Sequence, residues 1–193
     1  MPRFIIVFFV VVFPFFSRWG MLNCVKIRQF GDYMISIIIS SANAEDLSAV
    51  KLSIQRTIGV PFELLVIENS GGRLGICEAY NQAAARARFE LLCFMHEDIL
   101  FMTQDWGRVV LQHFSDTRVS LLGVAGSTYK SLSPSMWVAE GILGETVRIN
   151  IIQHFKYRKI PPMNLVVNPG AEAISRVASI DGLWMRMPKK IFP

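Results

Sequence analysis

Charge is scarce in this chain. Asp, Glu, Lys and Arg make up 18% of its 193 residues, against 52% apolar residues. That balance excludes a disordered segment and demands a packed core. Cysteine is scarcer still: Cys24, Cys77 and Cys93 are odd in number and show no CxxC spacing. A disulfide framework and a zinc site are therefore excluded, and the thiols point to a reducing compartment. No Walker A loop occurs and no GxGxxG follows the first strand, which argues against nucleotide-hydrolysing and dinucleotide-binding α/β proteins. No GxSxG elbow is present, which argues against an α/β-hydrolase. Nor is there a run of Lys or Arg interleaved with aromatics, so the net charge of +5 is too diffuse to indicate nucleic acid. It suits an anionic ligand or an anionic membrane surface.

A long apolar run is also missing. Phe4 to Phe16 is apolar apart from the break at Pro14, but as a helix it would rise only about 20 Å, short of a hydrocarbon core of about 30 Å. Three readings stay open for residues 1–32: a short anchor, a degenerate signal peptide, or non-native sequence upstream of a later start such as Met21 or Met34. Arg18, Lys26 and Arg28 follow the stretch and favour a cytoplasmic body, placed at the inner face of the membrane if it anchors. The remaining residues, 33–193, are enough for one domain with a full core. The chain stops at Pro193 without a closing helix, which reads as a domain clipped at its carboxyl end.

What is present is an alternation. Met34–Ser40 is a short β-branched strand. A helix is expected over Asp46–Thr57, with Glu45 and Asp46 in its first turn and Gly59 and Pro61 beyond its end. Phe62–Ile67 is a second strand, and Gly75–Arg88 a second helix with Tyr80 on its apolar face. Leu91–Met95 is a strand buried on both faces. Thr103 or Asp105 caps a third helix, and Ser120–Ala125 is a fourth strand. Such alternation predicts an α/β fold with a mostly parallel central sheet flanked by helices. The later half is less regular. Thr146–Ile152, Leu165–Val167 and Arg176–Ile180 are expected to be strands of a more antiparallel part, and Ser127–Glu145 a loop over the pocket mouth.

Strand ends then define a candidate site. Ser41 and Asn43, Glu68 and Asn69, and His96, Glu97 and Asp98 all follow strands, and so fall on the carboxyl edge where open α/β sheets bind ligands. Two carboxylates and an imidazole there suit a hard divalent cation with phosphate on its far side. They also suit a helix N-cap and a solvated turn. His113 and His154 are lone histidines, expected to be structural. Trp137 and Trp184 suit either sugar stacking or core packing.

The strings ISIIISSAN, LLVIENSGG and GICEAYNQAAARARFELLCFMHEDI, with GVAGS and IDGLWM further on, resemble the family 2 glycosyltransferases of the GT-A, Rossmann-like fold. They are most similar to a glycosyltransferase-like branch with H-x-D in place of D-x-D. The resemblance implies a sugar transferred from a nucleotide-diphosphate donor to a hydroxyl of a glycan or lipid acceptor, with Mn or Mg as cofactor. It implies that His96 and Asp98 hold the metal, with Glu97 beside them. Ser41, Asn43, Glu68, Asn69 and Asn81 would line the nucleotide subsite, and Asp181 would face the sugar or the acceptor. Inverting members usually carry a later carboxylate as general base. The chain ends before such a string, which leaves Asp181 as stand-in and Glu172, Glu140 and Glu145 as weaker candidates. A non-catalytic nucleotide-sugar-binding remnant, or a membrane-tethered protein with an idle pocket, is the alternative.

Overall fold

The computed structural model describes residues 4–6, 10–14, 34–116, 118–132, 136–137, 143–155, 159–168 and 174–192. The elements run β1 (Phe4–Ile6), β2 (Val10–Pro14), β3 (Ile35–Ser41), α1 (Ala44–Thr57), β4 (Phe62–Glu68) and α2 (Ile76–Arg86). They continue with β5 (Leu91–Met95), β6 (Ile99–Phe101), α3 (Trp106–Phe114), β7 (Val119–Gly123), β8 (Ala125–Ser127) and α4 (Leu143–Thr146). The chain closes through β9 (Val147–Gln153), β10 (Met163–Val167), β11 (Ile174–Arg176), β12 (Ser179–Ile180) and β13 (Trp184–Pro188).

β3 is the axis of the larger sheet. It pairs in parallel with β4 on one side and β5 on the other. Its side chains alternate between two cores. Ile35, Ile37 and Ile39 pack with Val50 and Ile54 of α1 and with Trp106 and Val110 of α3. Ile38 packs on the opposite face with Ala79, Tyr80, Ala83 and Ala84 of α2 and with Leu92 and Phe94 of β5. A strand covered on both faces has no polar side, and this is why ISIII and LLCFM read as unbroken apolar runs. Each of these fully buried isoleucines contributes about 1.5–3 kcal/mol relative to exposure.

The expectation of a mostly parallel sheet needs correction. The seven strands lie in the order β11-β2-β7-β13-β5-β3-β4. β13 enters between β5 and β7 and runs antiparallel to both, with Arg186 opposite Cys93 and Leu122. β7 therefore runs in the same direction as β5, as expected of the fourth strand, but does not pair with it. The sheet is mixed. Nothing local to the fourth strand reveals its neighbour, because the segment that fills the slot arrives some sixty residues later. The predicted strand Ser120–Ala125 is also divided: β7 stays in this sheet, while β8 joins a second one in the order β12-β8-β9-β1-β6, with β10 on the free side of β9. The β9–β10 pair is antiparallel, as the later half of the sequence suggested. The apolar amino-terminal stretch supplies strands: β1 pairs with β6 and β9, and β2 with β7 and β11.

Helix ends match their residues. Asn43 caps α1, its Oδ1 accepting the amides of Glu45 at 2.9 Å and Asp46 at 3.2 Å, so the helix starts two residues before the expected Asp46. Gly59 follows the end of α1 at φ +69°, a conformation that glycine adopts without a Cβ penalty. Asp105 occupies the N-cap position of α3 at φ 55° but offers no side-chain cap bond; its main-chain carbonyl accepts the Arg108 amide at 2.9 Å. Gly107 lies where α3 meets the end of α1: a Cβ there would stand 2.6 Å from the Ile58 carbonyl oxygen.

Candidate functional site

β5 ends at Met95 opposite Ile39, and β3 runs two residues further, to Ser41. Beyond those ends opens a cleft of about 340 Å³ lined by Ser40, Asn43, Asp46, Ile76, Tyr80, His96, Glu97 and Asp98. Its size falls near the lower end of ordinary small-molecule sites, about 300–1,000 Å³. Four of the expected residues, Asn43, His96, Glu97 and Asp98, are brought together there.

Glu97 organises the cleft floor. Its carboxylate accepts the Ser41 hydroxyl at 2.6 Å, the Ala42 amide at 3.0 and 3.1 Å, and the Asn43 amide at 3.1 Å. Both oxygens are thus committed to the turn between β3 and α1. Glu97 was expected beside the ligand; the geometry gives it the task of holding that turn. Ser41 is buried and spent on the same bond, and Ser40 lines the cleft instead. The one-residue alternation of a strand turns the two serines to opposite sides, and Ser40 is the one on the cleft.

Asp98 is half-buried. Burial pushes its carboxyl above the usual carboxylate range; the neighbouring His96 opposes the shift, and the carboxylates of Asp46 and Glu97 add to it. His96 Nδ1 stands 3.9 Å from Asp98 Oδ1, and the His96 amide donates to the Leu183 carbonyl at 3.0 Å, tying the end of β5 to the start of β13.

Asp46 is the residue that sequence reading missed. It was expected only as an acid of the first helical turn, where negative charge suits the helix dipole, yet it is only 5% exposed, lines the cleft, and its Oδ1 has no hydrogen-bond partner. The signal was present: an acid three residues after an N-cap, just beyond a strand end. Tyr80 was expected to be core and Asn81 a cleft wall. Tyr80 does both jobs, packing on Phe94 at 4.9 Å between centroids while lining the cleft, and burial pushes its hydroxyl up to about 12. Asn81 is exposed and outside the lining. Residues 76 and 80 share a helix face, whereas position 81 is turned away from it.

Glu68 lies at the same edge but outside the lining residues. β4 and β5 flank β3, so the Glu68 end and the Asp98 end are separated by two strand spacings, about 10 Å. Glu68 is exposed, and hydrogen bonding to Ser70, whose amide lies at 3.0 Å, holds its carboxyl below the usual range. Asn69 shapes the glycine-containing loop: its Oδ1 accepts the Leu74 amide at 3.0 Å, its Nδ2 donates to the Leu74 carbonyl at 2.9 Å, and its own amide donates to the Ser41 carbonyl at 2.7 Å. Asp181 is not a lining residue. Its Oδ1 accepts the Leu183 amide at 2.7 Å in the turn that leads into β13. Trp184 is fully buried, in edge contact with Trp106 at 6.0 Å, which settles its packing role. Glu172 and Glu140 lie outside the described residues.

A parallel strand triplet with helices on both faces and a polar cleft at its carboxyl edge defines an α/β ligand-binding fold. The sequence model of the glycosyltransferase-like family matches residues 35–191, and the chain belongs to that family. Membership supports a general glycosyltransferase role. No curated protein matches the chain.

Proposed function

We propose that the protein transfers a glycosyl unit from a nucleotide-diphosphate sugar to a hydroxyl of a glycan or lipid acceptor, with inversion. One observation carries this reading in a chain of this family: the cleft at the carboxyl ends of β3 and β5 gathers Asn43, Asp46, His96 and Asp98. The nucleotide would occupy the β3–α1 side, with the Glu68 and Asn69 loop beyond it. The diphosphate would lie towards Asp98. Ile76 supplies an apolar wall.

The residues present fit a divalent cation of the Mg or Mn kind. Asp98 offers a hard oxygen and His96 a nitrogen; among the described residues no group of three metal-ligating side chains converges. Such cations are commonly held by one or two protein ligands, with water and phosphate oxygens completing the shell. His96 and Asp98 would hold it, and when bound it would neutralise charge on the leaving diphosphate. The other work falls to the chain itself. Glu97 fixes the turn that carries Asn43, and Tyr80 and Ile76 line one wall.

Asp181 stands as the candidate base, and its bond to the Leu183 amide favours a second reading, in which it only caps a turn and the protein binds donor without turnover. A cytoplasmic protein, with peripheral attachment at the inner membrane face, suits the positive net charge; no described helix is long and apolar enough to cross a membrane. Calorimetric titration of UDP, with Mn²⁺ and with EDTA, tests the reading. Metal-dependent heat that disappears in Asp98→Ala is expected. No heat in the wild-type protein, or an unchanged signal in the variant, overturns it.

A further inference from the structure

The first turn of α1 holds an acid with nothing to do. Counting from the N-cap Asn43, Asp46 is the third helical residue. A carboxylate at that position ordinarily reaches back to the N-cap amide and completes a capping box. Here that amide is already taken: Asn43 N–H donates to Glu97 Oε2 at 3.1 Å. The other half of the box is intact, with Asn43 Oδ1 accepting the Asp46 amide at 3.2 Å. Glu97, arriving from the end of β5, therefore displaces Asp46 from its usual partner.

The displaced side chain does not swing into water. Asp46 is 5% exposed, and its Oδ1 is closed to solvent without a hydrogen bond. Among the described residues no cationic side chain pairs with it, and Asp98 and Glu97, both acidic, lie nearby with His96 alongside. Glu45, the other acid of the turn, is exposed. An ionised carboxylate buried without a donor is costly, and one at a cleft wall is served by whatever occupies the cleft.

We infer that Asp46 is a ligand-binding residue of the cleft, accepting an O–H or N–H of the nucleoside part of the donor. This rests on the nucleotide-sugar reading above and assigns the carboxylate that recognises the nucleoside. A neutral donor fits better than a role as third metal ligand beside His96 and Asp98, because no group of three metal-ligating side chains forms among the described residues. The hydrogen comes from the ribose hydroxyls or from a base N–H, the two neutral donors that a nucleoside offers.

The test is calorimetry with UDP, GDP, ADP and CDP on wild-type protein and on Asp46→Asn, in Mn²⁺ and in EDTA, with thermal melting of both ligand-free proteins. For the tightest-binding nucleotide, Asp46→Asn is expected to weaken affinity at least about tenfold in both media, the loss of one charge-assisted hydrogen bond. Its ligand-free melting midpoint is expected to equal or exceed that of the wild type, since the buried Oδ1 has no hydrogen bond to lose. A 2′,3′-dideoxy analogue then assigns the source. Loss of sensitivity to Asp46→Asn identifies the ribose, and retained sensitivity identifies the base. Unchanged affinity in Asp46→Asn, a loss seen only with Mn²⁺, or a lowered ligand-free midpoint overturns the inference while leaving the donor reading in place. Absence of nucleotide binding by the wild-type protein overturns both.

Discussion

Glu97 accepts the Ser41 hydroxyl at 2.6 Å, closing the end of β5 onto the end of β3 across 56 residues of sequence. The same carboxylate takes the amides of Ala42 and Asn43. Glu97→Ala leaves those donors without their acceptor. It is expected to lower stability by about 2–3 kcal/mol, read from the urea midpoint. Donor affinity falls with it, because the freed Asn43 amide becomes available to Asp46. A variant with wild-type stability would show that the turn holds itself.

Glu63 plays the corresponding part at the opposite end of the sheet. It accepts the Ser36 hydroxyl at 2.6 Å and both the amide and the Nε of Arg88 at 2.7 Å. Burial pushes its carboxyl up, but the bonds from Ser36 and Arg88 outweigh this and hold it below its ordinary value of 4.5. A depressed carboxyl stabilises the fold above the unfolded value, and the contribution is lost as pH falls through the folded one. Glu63→Gln is therefore expected to cost about 1.5–3 kcal/mol near neutrality and to flatten the acid limb of a stability–pH curve below 4.5. An acid limb as steep as that of the wild type would exclude Glu63 as its source.

Arg186 is fully buried in the middle of β13 and its guanidinium nitrogens have no hydrogen-bond partner among the described residues. It lies over the Phe114 ring at 5.3 Å, and burial pulls its pKa down to about 10. The ring contact returns about 0.5–2 kcal/mol, less than the cost of burying a charge of that size. Arg186→Met, apolar and unbranched, is expected to raise stability by about 1–3 kcal/mol in urea denaturation. A lower midpoint would mean that the guanidinium has a stabilising role beyond the Phe114 contact.

Replacing Asp181 tests whether it is the base proposed above or only the cap of the turn before β13. As the base, its replacement by Asn is expected to slow sugar transfer by about 10²–10⁴-fold with donor affinity unchanged. Rates of transfer and donor hydrolysis, measured with calorimetry on the same preparation, decide between the roles. Transfer at the wild-type rate would leave Asp181 as the cap of the turn before β13.

Local chemistry in the sequence determined the elements and the edge on which ligands meet the sheet. β-Branched runs made β3, β4 and β5, alanines made α2, and polar residues after β3 and β5 marked the cleft, because secondary-structure period and turn composition act over a few residues. Tertiary structure decided the rest. Strand and helix period turn Ser40 and Ser41, and Tyr80 and Asn81, in different directions; which of each pair meets the cleft, and whether Asp46 completes a capping box, depend on segments brought from elsewhere in the chain. The slot that β13 fills between β5 and β7 is of the same kind: pairing between strands is fixed by long-range contacts, which leave no trace in the residues of either strand alone.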